Sequence, residues 1–459
     1  MKKTTLSFGL VLTLMACNKK APLDYAILTG QINNLEAKEI NLEKTDQSYI
    51  KDITVAPNGS FTDTIKQASG VYQLTVEGNS IPVYLENENV VKVTADAKEF
   101  SKSLEASGEG SQTTKYFIFK RKKTQELKGK KSSFYALEEE AFKNKAKNIS
   151  TTLNTVLDTV KGVDPAFKTL EKRSLNYAYL LELSRYSTGY HSYWAKNRDY
   201  EPSRDLLAEL EVVDVTNEED YKFSPAYKHL VTAHYVKMIR ALSEKDSIDF
   251  ALAKVKVHSK ISNTFIKNDL IFSGAEYGMV KTENFEDYYK IFMSASTVKE
   301  HNDKITLLYN KLLSLKPGQP SPKFMNYENN SGGTLSLDDL KGKFTYIDVW
   351  ATWCSPCLAQ VPHLKKLEKA YHGKQINFLS ISIDASKDYE KWKKMIVEKE
   401  LGGIQVIADK AAESQFTKDY FISSIPRFIL IDPNGLIVTK DAPRPSSPEL
   451  IDLFNSLNI

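Results

Sequence analysis

Cys354 and Cys357 stand with two residues between them in the run Trp353-Cys354-Ser355-Pro356-Cys357, and Cys17 is the only other cysteine among 459 residues. A disulfide across so short a loop removes little chain entropy, less than the roughly 3 kcal/mol expected of a 15-residue loop, so stapling the fold is a poor reason for the pair. Thiol-disulfide exchange is a better one. Residues 346–350 are a short apolar, β-branched and aromatic run that reads as a strand, followed at once by a turn and a helical pattern. Cys354 is therefore expected at a helix N-terminus, where unpaired N–H groups and the positive end of the dipole favour a thiolate, and Pro356 suits the first helical turn. Lowering a thiol's pKa from about 8.5 toward 7 raises its ionised fraction at neutral pH from a few per cent to about half. The competing chemistry is half of a zinc site, which needs two more ligands. His363 and His372 flank the following helix without one-face spacing, so no metal is expected.

With Pro362 five residues beyond the second cysteine, the motif resembles the TlpA/ResA-like branch of the thioredoxin superfamily, over about residues 318–459. The resemblance implies a redox-active disulfide between Cys354 and Cys357, with Cys354 attacking a substrate disulfide and Cys357 resolving the mixed disulfide. It places Asp348, six residues before Cys354, where the superfamily keeps a buried acid beneath the second cysteine, able to accept that thiol's proton. Pro426 falls at the cis-proline position, and the backbone of Ile425 before it is expected to pair with a substrate strand. Trp353, Ser355 and Pro356 flank the sulfurs as substrate-contacting residues. Two positions depart from the pattern: Gln360 replaces a frequent glutamate and cannot relay a proton, and Leu358 stands where a basic residue is common. No cofactor is implied.

The elements that position these residues belong to a chain too long for a single core, so two or three domains are expected. Lys+Arg 62 against Asp+Glu 58 gives +4, too small an excess for a nucleic-acid binder. Residues 1–16 carry Lys2 and Lys3 and then a short apolar run, suited to a secretory signal and too short to span a bilayer. The ending Leu14-Met15-Ala16-Cys17 resembles a lipobox, which implies acylation of Cys17, membrane attachment on the periplasmic side of the cell envelope, and an outer-membrane destination, since Asn18-Lys19-Lys20 brings no acid next to the cysteine. Disulfides persist in such a compartment.

The expected architecture is multidomain α+β and α/β: an anchor linker over 17–24, an N-terminal antiparallel β-domain over 25–105, a helical region over 106–317, and a thioredoxin-like domain with a mixed sheet over 318–459. Strands are expected over 25–32, 40–43, 49–55, 61–65, 71–76, 82–85 and 90–95, with Pro57-Asn58-Gly59-Ser60 as a hairpin turn. The Ser- and Gly-rich stretch 101–111 reads as a linker. Helical patterns cover 169–186, 202–210, 225–242 and 286–313. The basic run Lys120-Arg121-Lys122-Lys123 with residues 128–131 reads as a solvated helix face. The aromatics Tyr177, Tyr179, Tyr186, Tyr190, Tyr193, Trp194 and Tyr200 read as core, and His229 and His234, five apart, as ordinary histidines. After a Pro-rich lead-in at 318–322, the pattern predicts strands over 376–383 and 405–408, helices near 389–399 and 411–420, a hairpin over 427–431 and 436–440 turning at Asp432-Pro433-Asn434-Gly435, and a closing helix from Pro448. The expected partners are exported protein dithiols or disulfides, an envelope electron donor and, through Cys17, the membrane. A reading from another class is a partner-binding envelope lipoprotein whose thioredoxin-like part is vestigial; the intact Cys354, Cys357, Asp348 and Pro426 argue against it.

Overall fold

The computed structural model describes residues 23–46, 48–66 and 68–459, so Cys17 and the signal-like segment lie outside the described residues. The chain divides into two compact units, one ending at Lys237 and the other running Met238–Ile459, with the division inside the helix Pro225–Asp246. Among the described residues, no helix is long and apolar enough to cross a membrane.

The first unit opens with strands β1 (Tyr25–Asn33), β2 (Glu39–Lys44), β3 (Ile50–Thr54), β4 (Ser60–Lys66), β5 (Gly70–Val76), β6 (Asn79–Leu85), β7 (Val90–Asp96) and β8 (Glu105–Ser107). They form two four-stranded sheets, β4-β1-β7-β8 and β3-β2-β5-β6, whose apolar faces share one core containing Leu28, Leu42, Phe61, Leu74 and Val93. Strict alternation along β1 supplies that face, every second residue being buried. All pairs are antiparallel except β1 with β7, strands that no hairpin joins.

The stretch 101–111 is not a linker: it holds β8, which pairs with β7, and Leu104 is buried. The Asn58-Gly59 turn forms, with Gly59 at φ +82° and its N–H donating to the Ala56 carbonyl at 2.8 Å. It is not a hairpin, however, because β3 pairs with β2 while β4 pairs with β1. The turn is a corner between sheets, held by the Ile32 N–H donating to the Gly59 carbonyl. The true two-residue hairpin joins β5 to β6 at Glu77-Gly78, both at positive φ as that turn requires.

Helices fill the rest of this unit. Tyr186 and Tyr179 are core, as expected, whereas Tyr193 is 72% exposed. The basic face is not simply solvated: Lys120 pairs with the buried Glu171 at 2.6 Å and Lys128 with Glu182 at 2.8 Å.

In the second unit, helices Phe250–His258, Thr264–Phe272, Ala275–Lys281, Phe285–Ala295 and Lys299–Leu313 precede a seven-stranded sheet. The single helix expected over 286–313 is two, broken where Ser296 turns extended and the Thr297 N–H donates to the Asn268 side chain at 3.0 Å. The sheet strands are β9 (Tyr327–Asn329), β10 (Thr334–Leu335), β11 (Phe344–Trp350), β12 (Ile376–Ser382), β13 (Ile404–Ile407), β14 (Arg427–Ile431) and β15 (Ile437–Thr439). Their order is β10-β9-β13-β12-β11-β14-β15. β11, β12 and β13 run parallel, and β14 lies antiparallel to β11. This is the mixed thioredoxin-type sheet, with β9 and β10 added at one edge. The Pro-rich lead-in docks on the other edge, where the Gly318 N–H donates to the Ile437 carbonyl.

Alternation along β11 divides the sheet into two faces. Ile347 and Val349 join a core with Leu379, Ile381 and Ile429. Tyr346 faces the opposite side, with Phe378, Phe428, Leu364, Leu367 and Phe454. Full burial of each such side chain contributes about 1.5–3 kcal/mol. The second face is covered by the helices Val361–Ala370 and Pro448–Ser456, and Asp348, two residues from Tyr346, shares it.

Candidate redox site

β11 ends at Trp350, and the chain turns through Ala351 and Thr352 into a short helix, Ser355–Leu358, with Cys354 as its N-cap. A second helix, Val361–Ala370, follows directly, with Pro362 in its first turn. Thr352 fixes the turn. Its N–H donates to both carboxylate oxygens of Asp384 at 3.1 and 3.0 Å, and its hydroxyl donates at 2.8 Å. Asp384 is itself buried and also accepts from the Ser382 hydroxyl at 2.7 Å. Sequence reasoning missed this carboxylate, whose only signal is its place just after β12, a strand expected to neighbour β11.

Cys354 and Cys357 form a disulfide, with Cα atoms 5.3 Å apart. Both are 4% exposed, while the adjoining Trp353 is 56% exposed, and Ser355 and Pro356 are exposed. The Cys357 N–H donates to the Cys354 sulfur at 3.2 Å. The same N–H also donates to the Cys354 carbonyl at 3.0 Å, so it is shared between the two acceptors, and its bond to the sulfur would strengthen toward a thiolate.

The Ile425–Pro426 bond is cis. Pro426 directly precedes Arg427, which sits opposite Val349 in the β11–β14 register, so Pro426 lies at the same end of the sheet from which the cysteine turn departs. Gln360 does not approach as an acid: its side-chain oxygen accepts from the Ser446 N–H at 3.1 Å and ties down the loop before the last helix.

Asp348 is half-buried as a residue, yet its Oδ1 is shut off from solvent without a hydrogen-bond partner. Burial, and then the negative charge of Glu368, push its carboxyl up to about 7. Burial likewise pushes Glu368 up to about 7, against the opposing charge of Lys365. Glu368 was not singled out in the sequence, where it looks like an ordinary helix-surface acid. Among the described residues, no group of three or more His, Cys, Asp or Glu could hold a metal ion.

The redoxin family matches residues 316–454. The thioredoxin-like protein YneN of Bacillus subtilis is 29% identical over 127 residues, 28% of this chain and 72% of its own length. The thiol-disulfide oxidoreductase ResA of Bacillus cereus is 30% identical over 123 residues, 27% of this chain and 68% of its own. This chain belongs to the ResA-like thiol-disulfide oxidoreductases. Its membership rests on the C-terminal domain, which carries the Cys354–Cys357 pair. Among solved structures, the thioredoxin domain of a thiol-disulfide oxidoreductase from Bacteroides vulgatus is 30% identical and covers 31% of this chain and 99% of that one, with a TM-score of 0.28. The chain is thus a thiol-disulfide oxidoreductase, and residues before 316 lie outside the family match.

Proposed function

We propose that this oxidoreductase reduces or isomerises disulfides of exported proteins at the cell envelope, held to the membrane through an acylated Cys17. The observation that carries the redox role is the Cys357 N–H donating to the sulfur of Cys354 at a helix start. When the disulfide opens, that amide stays aimed at Cys354 and favours its thiolate, so Cys354 is the attacking sulfur. Among the described residues, no such donor to the Cys357 sulfur is present. Cys357 must shed a proton before it can attack the Cys354 side of the mixed disulfide, and Asp348 is the acceptor for that proton. The exposed Trp353, with Ser355 and Pro356, forms the surface a substrate meets, and the Ile425 backbone beside Pro426 pairs with the substrate strand. The lysine-rich start, short apolar run and Leu14-Met15-Ala16-Cys17 support export and acylation. An envelope electron donor then restores the dithiol. The pair of variants Cys357→Ser and Cys354→Ser tests the assignment, since only the former keeps the attacking sulfur while lacking its resolver.

A further inference from the structure

The segment that leads into Pro426 carries an aromatic in an uncommon backbone conformation. Phe421 stands at φ +51°, in the left-handed region that a bulky residue seldom adopts and keeps only where its surroundings dictate it. It packs against two cores at once: the helical cluster containing Met279 and Leu308, and the cluster that holds Cys354 and Cys357. Ile422 and Ile425, in the same segment, pack against the latter.

Beside Phe421 opens a cavity of about 550 Å³ between the helices Ala275–Lys281 and Lys299–Leu313 and the segment 412–423. Its apolar wall is made by Tyr277, Val280, Leu307, Leu308, Phe421 and Ile422. Tyr277 and Leu307 are 66% and 61% exposed, so two large apolar side chains face one cavity without cover. The charged groups around it are largely matched. Lys418 pairs with Glu413 and Lys304 with Glu300, each at 3.0 Å, while Lys311 and Glu276 add one charge of each sign. The buried Thr417 hydroxyl is already committed to the Ala412 and Ser414 carbonyls, at 2.7 Å each. The cavity thus selects for apolar surface and offers little to a small polar or charged molecule.

Ser423 lines this cavity and is two residues from Ile425, so their Cα atoms are at most about 7.6 Å apart. Two or three residues of extended chain, at about 3.3 Å each, cover that distance. A strand that pairs with the Ile425 backbone and continues toward Ser423 therefore brings its next side chains to the cavity, main-chain bonds holding it and the cavity reading its side chains.

We propose that this cavity is a specificity site of the oxidoreductase, which receives apolar side chains of the substrate close to its reacting cysteine, and that the substrate class is unfolded polypeptide rather than native protein. The inference rests on the exchange reading and on the pairing of Ile425 with substrate. In a native protein, large apolar side chains are mostly buried and strand backbone is already paired. An unfolded chain offers both together.

The test uses the reduced full chain and two synthetic peptides. Each carries one cysteine in a disulfide with glutathione, and they differ only in having leucine or serine at the second to fourth residues on either side of it. Oxidation of the Cys354–Cys357 dithiol is read by acid quench and expressed relative to oxidised glutathione with the same variant. The parent should prefer the leucine peptide about tenfold or more in kcat/KM, as removal of apolar side chains from water predicts. Leu307→Glu and Tyr277→Ser, both at exposed positions, should bring that ratio toward one, and Val397→Ser, 74% exposed on the helix Tyr389–Glu398, should keep it. Equal rates for the two peptides in the parent, or a ratio unchanged in both cavity variants, overturns the proposal while exchange itself leaves the redox reading standing. A dimer of the full chain that dissociates in Leu307→Glu would assign the cavity to a second copy and overturn it as well. Anisotropy of a fluorescein-labelled, cysteine-free leucine peptide on the oxidised chain separates the remaining case: binding abolished by Leu307→Glu, in a protein that exchanges with none of the three disulfides, would uphold the cavity as a peptide site and overturn the redox reading.

Discussion

Asp348 faces Phe428 across the antiparallel β11–β14 pair, so the one ionisable residue of β11 besides Tyr346 is set against an aromatic ring in a layer that also holds Leu430 and Phe454. Asp348 Oδ1 is kept from water, and burial holds the carboxyl's proton to about pH 7. Burying an acid costs stability once it ionises, and a fold tolerates that cost where the proton is used.

A first expectation follows from the sign of that displacement. Asp348 binds its proton more tightly folded than unfolded, so its contribution to stability is complete below its ordinary value of 3.8 and is lost as pH rises through about 7. Asp348→Asn, neutral throughout, should match the parent in denaturant unfolding at pH 4. At pH 8 it should exceed the parent by a few kcal/mol, since each pH unit between the folded and unfolded values is worth about 1.4 kcal/mol. The same variant should slow the resolving step more than the first attack. Equal stability gaps at both pH values would remove the argument for a protonated, buried Asp348.

Much of this was legible in the sequence, and the misses have physical reasons. Seven of the eight strands of the β-domain show in the sequence, most of them through the alternation that one-sided burial writes into them. β8 and β9 do not: each is three residues long, too short to show a period, and they exist by pairing with β7 and β13. Cys354, Cys357 and Pro426 could be found from spacing along a family motif. Glu368 and Asp384 could not, because what gives each its environment lies more than 30 residues away in sequence, Gly402 for the one and Thr352 for the other. The Asn58-Gly59 pair reads correctly as a turn, but local chemistry does not say which sheet the next strand will join.

Direction of exchange is a second expectation. A reductant or isomerase should have a potential nearer thioredoxin's, about −270 mV, than DsbA's, about −120 mV, a gap worth roughly 7 kcal/mol for two electrons. Gln360 makes one hydrogen bond to the Ser446 amide, an interaction too small to span that gap. Equilibration of the full chain against glutathione and dithiothreitol buffers reads the value, and a potential at the oxidising end would reverse the proposed direction.

Membrane attachment is a third. If Cys17 is acylated on export, Cys17→Ser should leave the membrane fraction and appear as soluble protein in fractionated cells. Equal membrane retention of variant and parent would refute the anchor.

The most direct test mixes the reduced full chain with a disulfide-bonded protein substrate and follows both sulfurs by acid quench. In the parent, the mixed disulfide should be transient and the Cys354–Cys357 disulfide should close. Cys357→Ser should stop at the mixed disulfide, and Cys354→Ser should trap no substrate. Trapping to the same extent in both variants, or by neither while the parent reduces the substrate, would contradict the assignment of Cys354 as the attacking sulfur and Cys357 as its resolver.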